Sequence, residues 1–157
     1  MALRDITISV DVRAPAPTVW RVVTDWEGQG EWMLGTTVHV TRGDGASLGS
    51  ELAAVTGVGP LAVTDPMTIV GWDPPTRATV AHTGAVVRGS GTFTVVEREP
   101  DASSTFHWTE QLELPLGPLG ALGWPLVRPA FAAGLRYSLA RMARYCEALH
   151  RGEAPLA

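Results

Sequence analysis

Polar and apolar positions alternate at the start of the chain and then change period. Ile6, Ile8, Val10 and Val12 alternate with Thr7, Ser9, Asp11 and Arg13, which predicts a strand with one face in a core. Ala14-Pro15-Ala16-Pro17 breaks it. Val19, Val22, Val23 and Trp26 then fall on one side of a short helix over residues 18–26. Gly28 and Gly30 interrupt, and Glu31-Trp32-Met33-Leu34 makes at most a second short helix before Gly35. Strands are predicted over residues 36–42, 50–56, 62–72, 78–83, 86–97 and 105–114. Their breaks are Gly43-Asp44-Gly45, Gly57-Val58-Gly59-Pro60, Asp73-Pro74-Pro75 and Pro100-Asp101-Ala102. Arg42-Gly43-Asp44 is read as part of a tight hairpin loop, not an adhesion motif. Near the C-terminus Leu135, Leu139, Met142, Cys146 and Leu149 recur at spacings of 4, 3, 4 and 3, one apolar face of an α-helix. That helix is expected from about Gly123 to His150, with Pro125 and Pro129 near its start and Gly152 as a cap.

The order is strand, two short helices, six strands and one long helix. Short turns between consecutive strands imply an antiparallel meander. The first strand is expected to lie beside the last. A long twisted sheet and a lone amphipathic helix must cover each other. The fold class is therefore α+β: a curved seven-stranded antiparallel sheet wrapped around a long C-terminal helix, in one domain over residues 1–157.

Composition narrows the function classes. A formal charge of −4 and scattered arginines leave no footprint for nucleic acid. All twelve basic residues are arginine, and neither lysine nor asparagine occurs, so Schiff-base chemistry, a phosphate-loop lysine and N-glycosylation are excluded. Cys146 is alone and rules out a disulfide framework; it reads as a small buried hydrophobe. The four histidines lack ligand spacing, so no metal site is expected, and no cofactor. No apolar run reaches the roughly 20 residues of a membrane span, and the first residues read as a strand rather than a signal peptide. The expected location is cytoplasmic.

Strand parity names candidate site residues. Phe106, Trp108, Glu110, Leu112 and Leu114 share the more apolar face of their strand. Phe93 and Val95 should face the same way, with Gly89 and Gly91 leaving room. Val80 and His82 form the corresponding set one strand earlier, and Met67 and Ile69 the set before that. Leu135, Leu139 and Met142 supply the facing helix. Glu110 is thus a lone carboxylate among inward aromatics, near His82 and Arg88. Two roles stand open for it: a general acid/base with His82, or a buried carboxylate satisfied by Arg88 or backbone N–H groups. His39 and His107 are expected to face outward. Arg136 and Tyr137 belong to the helix edge, and Trp20 and Trp26 to helix packing.

Val19-Trp20-Arg21-Val22-Val23-Thr24-Asp25 after an alternating first strand, then Glu31-Trp32-Met33, then Trp72-Asp73-Pro74-Pro75, resemble the START-like superfamily across nearly the whole chain. The nearest subgroup is that of polyketide cyclases/dehydrases and lipid transport proteins. The resemblance implies a helix-grip fold with a cavity between sheet and helix, entered near the short helices. It places Trp32 by the entrance, with Gly28-Gln29-Gly30 as a link that lets a lid move. The implied function is binding of a hydrophobic or amphipathic small molecule by a monomer or homodimer. A cyclase or dehydratase using Glu110 and His82 is the alternative. A third is a regulatory or co-chaperone-like interaction protein, which would need a large exposed apolar patch.

Overall fold

The computed structural model describes residues 3–113 and 118–154. Its strands are β1 (Leu3–Val12), β2 (Thr36–Arg42), β3 (Glu51–Thr56), β4 (Val63–Asp73), β5 (Arg77–Thr83), β6 (Arg88–Glu99) and β7 (Ser103–Glu113). Between β1 and β2 lie α1 (Ala16–Thr24) and a 3-10 turn (Glu27–Glu31); α2 (Pro118–His150) follows β7. The seven strands make one antiparallel sheet in the order β1-β7-β6-β5-β4-β3-β2, so β1 does lie beside β7. Leu114, read as the end of the last strand, lies outside the described residues. A register shift between Ile69 and Gly71, where β4 meets β5, adds local twist to the curling sheet.

The concave face carries the core. Ile6, Ile8 and Val12 of β1, Phe93 and Val95 of β6, and Phe106 and Trp108 of β7 are buried. Leu135, Leu139, Met142 and Cys146 of α2 meet them from the other side, and α2 packs on β1 and α1. Burial pushes the Cys146 thiol up to about 12, and its Sγ–H donates to Met142 Sδ at 3.4 Å. It is an unreactive filler at neutral pH.

Three local expectations are corrected. First, α2 begins at Pro118, and Pro125 and Pro129 lie inside it. Each removes one helical hydrogen bond, to the carbonyls of Ala121 and Pro125, on turns exposed enough for water to serve those oxygens. Second, Leu149 continues the apolar period but is exposed, because the face it shares outruns its partner elements near the helix end. Third, Gly28-Gln29-Gly30 is part of the 3-10 turn, whereas Trp32, Met33 and Leu34 lie beyond it. Gln29 is 1% exposed, and its Nε2–H donates to the Val23 carbonyl at 2.7 Å. A buried amide bonded to α1 pins a segment that composition alone suggests is loose.

Candidate functional site: an acid–imidazole–acid row in an apolar cavity

Strands β4, β5 and β7 each place a polar side chain on the concave face, with β6 lying between the last two. Glu110 of β7 pairs in register with Gly91 of β6, which pairs with Val80 of β5. A Cβ at Gly91 would sit 2.9 Å from Glu110 Oε1, so only glycine lets the carboxyl lie across β6 towards β5. His82 comes two residues after Val80 and pairs with Met67 of β4. Asp65 precedes Met67 by two, on the same face.

The His82 ring spans the gap between the two acids. Its Nδ1 lies 2.7 Å from Asp65 Oδ2, and its Nε2 lies 3.1 Å from Glu110 Oε2. The Trp108 indole N–H donates to the other Glu110 oxygen, Oε1. The His82 and Glu110 side chains are only 7% and 8% exposed. Burial opposes a charge on His82, but hydrogen bonds and attraction from Asp65 and Glu110 outweigh it and raise the imidazole from 6.5 to about 9. At neutral pH the ring is an imidazolium, and both nitrogens donate. Asp65 Oδ1 is buried with no donor from the chain.

This row forms part of the wall of a cavity of about 540 Å³ between sheet and helix, within the range of roughly 300–1,000 Å³ typical of small-molecule sites. Almost all the rest of the wall is apolar. Val38, Ala54, Met67, Val80 and Phe93 come from the sheet, and Ala130, Phe131, Gly134, Leu135 and Ser138 from α2. Ser138 is a second polar point: its Oγ accepts the Leu34 N–H at 2.9 Å, leaving the hydroxyl proton free to donate. Leu34, Val63 and Val86 line the cavity and are also exposed, which marks the mouth.

Of the residues expected to line the site, the cavity wall includes Met67, Val80, His82, Phe93, Trp108, Glu110 and Leu135. Trp32, Ile69, Val95, Phe106, Leu139 and Met142 are not on it. All six are 0–2% exposed and belong to the filled part of the core. Strand parity gave the face of Ile69, Val95 and Phe106, and helical period that of Leu139 and Met142, but not where that face is filled. Trp32 meets Trp108 edge-on at 6.3 Å instead of standing at the entrance. Arg88 faces Glu113 at 3.8 Å rather than Glu110, because it begins β6 and points outward. His107 bonds Ser9 and His39 bonds Glu27, both on the outside. Arg136 and Tyr137 are exposed.

Sequence reasoning missed Asp65, although its parity with Met67 and Ile69 was available. It also missed Trp26, Gln29 and Ser138, which line the cavity from segments read as packing or linker. Both ring nitrogens of His82 are committed to carboxyl oxygens, and among the described residues no group of three such side chains is set to hold a metal ion.

A family profile described as "Polyketide cyclase / dehydrase and lipid transport" matches residues 4–147. No curated protein matches the chain by sequence. Among solved structures, a protein from Thermus thermophilus is similar at TM-score 0.72 and 18% identity, covering 93% of this chain and 99% of that one. The ZhuI aromatase/cyclase from Streptomyces sp. R1128 is similar at TM-score 0.70 and 18% identity, covering 94% and 98%. Norcoclaurine synthase from Thalictrum flavum, as a point mutant with a transition-state analogue, reaches TM-score 0.64 at 16% identity, covering 96% and 97%. At these identities the likeness is one of fold.

Proposed function

Because the chain belongs to the polyketide cyclase / dehydrase and lipid transport family, we propose that its cavity holds a hydrophobic or amphipathic small molecule whose polar group meets the Asp65–His82–Glu110 row. The observation that carries this is the cavity itself: about 540 Å³ of apolar-walled space with one cluster of ionisable groups. Apolar walls supply affinity, and the few convergent polar groups orient the guest. The buried Asp65 Oδ1 without a donor favours a guest that brings a hydroxyl or N–H.

Trp26 and Trp108 line the cavity, so their emission reports on occupancy. Titration with a panel of flat polycyclic phenols and fatty acids is expected to shift or quench emission saturably. A panel without any saturable response would overturn the reading.

A second reading, an enzyme of the cyclase or dehydratase type, is favoured by the hydrogen-bonded row. An imidazolium beside a carboxyl group can hold one proton and accept another in the same place. For a β-hydroxy carbonyl guest, Glu110 would take the proton next to the carbonyl. His82 would stabilise the enolate by hydrogen bonding or deliver a proton to the departing hydroxyl. Glu110→Gln should then remove turnover of a poly-β-keto thioester while circular dichroism shows that the fold is kept. Activity equal to the parent would take Glu110 out of the chemistry.

A further inference from the structure

The connections at the end of the sheet where the cavity opens, residues 57–62 and 84–87, carry no charge. Register defines that end: Thr56 pairs with Thr36 and Val63, Thr83 with Arg88, and Gly89 with Leu112. Leu34 and Gly35, the connection over residues 57–62 and the connection over residues 84–87 therefore lie together. The first residue of α2 is five positions beyond the end of β7, so it starts within about 17 Å of the same edge. No charged residue occurs over residues 56–64, 83–87 or 118–127.

These segments carry apolar side chains into solvent. Val58, Leu61, Val86, Leu119, Leu122 and Leu126 are 60–86% exposed. The first turns of α2 are apolar on every side, a pattern that normally marks a buried helix, yet its buried residues begin only at Ala132. The opposite end of the sheet is different. Its connections carry Asp44 and Asp101, and the strand ends beside them Asp73, Arg77, Glu97, Arg98 and Glu99.

We propose that the cavity end is a docking surface for an anionic lipid bilayer, through which the guest enters and leaves; this last clause rests on the cavity reading above. Three observations select a bilayer. The exposed side chains stand on separate connections and a helix end, which a fluid surface accommodates without a matching shape. Leu34, Val63 and Val86 belong both to the rim and to the cavity wall, so the apolar path is continuous. Behind the rim Arg128 is the first charge met along α2, and Arg88 of β6 is paired with Glu113 of β7 at 3.8 Å, while the far end carries more acids than bases. A chain of net charge −4 is thereby turned with this end towards an anionic surface. Among the described residues no helix is long and apolar enough to cross a membrane, so the contact is superficial. A second copy seated on the rim would instead cover the mouth.

Flotation on vesicles of phosphatidylglycerol and phosphatidylcholine, against phosphatidylcholine alone, tests this. The parent protein is expected to float with the anionic vesicles. The double variant Leu61→Glu, Leu126→Glu should lose about tenfold or more in apparent affinity, as expected when apolar side chains leave a hydrocarbon phase. Arg128→Glu should weaken only the anionic case. All three side chains are exposed, and unchanged circular dichroism and melting temperature would show that the fold is kept. A parent that stays with the unbound fraction, or a double variant that floats equally, would overturn the proposal. So would a concentration-dependent dimer, abolished by the double variant, without vesicle binding. Titration of the cavity with a soluble phenol is read separately. A cavity that responds while vesicles do not sinks docking alone; docking without any cavity response sinks the cavity reading alone.

Discussion

The two ends of the space between sheet and helix are made of different residues. Towards the C-terminal half of α2, Leu139, Met142 and Cys146 share a filled core with Val95 and Phe106, all of them at most 2% exposed. Towards the N-terminal half, α2 turns Ala130, Gly134 and Ser138 to the cavity, spaced by four on one face. The sheet adds Ala54, Ala78 and Gly91 opposite. Large side chains, Phe131 and Leu135, face the cavity as well, and α1 packs on β6, β7 and α2 with Val19, Trp20, Val22 and Val23 buried. The cavity is thus a matter of where α1 reaches as well as of side-chain volume. Its polar row sits at the hollow end, where Gly91 leaves the space that Glu110 crosses.

Core truncations should separate the ends most sharply. Phe106→Ala at the filled end is expected to cost about 3–5 kcal/mol. Phe131→Ala beside the cavity should cost no more than about 2 kcal/mol, since part of that ring already faces open space. Urea unfolding measures both, and equal losses would mean that the two ends are packed alike.

Next in size is the pH dependence carried by His82. Its folded value is raised from 6.5 to about 9, so the folded state holds the proton more tightly than the unfolded chain. The resulting stabilisation is complete below pH 6.5 and is lost as pH rises through about 9. The loss should be on the order of 3 kcal/mol. His82→Gln should flatten this part of the stability profile; an unaltered slope would assign it to another group.

The smallest effect tests the hollow end directly. A Cβ added at Gly134 would meet nothing within 4 Å, so Gly134→Ala should stabilise α2 by about 1 kcal/mol. Gly134→Leu should keep that gain while reducing guest binding, because its side chain enters the cavity. A melting temperature that rises with binding intact would show that the guest lies elsewhere.

Much of this organisation was legible beforehand. Strict alternation along β1 and β7 placed Ile6, Ile8, Phe106, Trp108 and Glu110 on one face, since a strand has no other way to present them. Asp65, two positions before Met67, is legible by the same rule, but its partner His82 lies on another strand and only the register brings the two together. The start of α2 was not legible. Pro125 and Pro129 signal a boundary locally, yet exposed turns tolerate the lost hydrogen bonds. Gln29 between two glycines has the composition of a hinge, and only its amide bond to the Val23 carbonyl shows otherwise.

The order of residues by itself determined the elements, the face each strand turns inward and the architecture of one sheet around a long C-terminal helix, because these follow from local periodicity and short connections. It also determined the uncharged character of one set of turns. Only the tertiary structure decided which inward residues touch a neighbour and which face empty space. It decided too that His82 lies between Asp65 and Glu110. Both depend on where α2 stands over a curved sheet and on which residues meet across β4, β5, β6 and β7, and such distances between remote parts of a chain have no counterpart in a one-dimensional pattern.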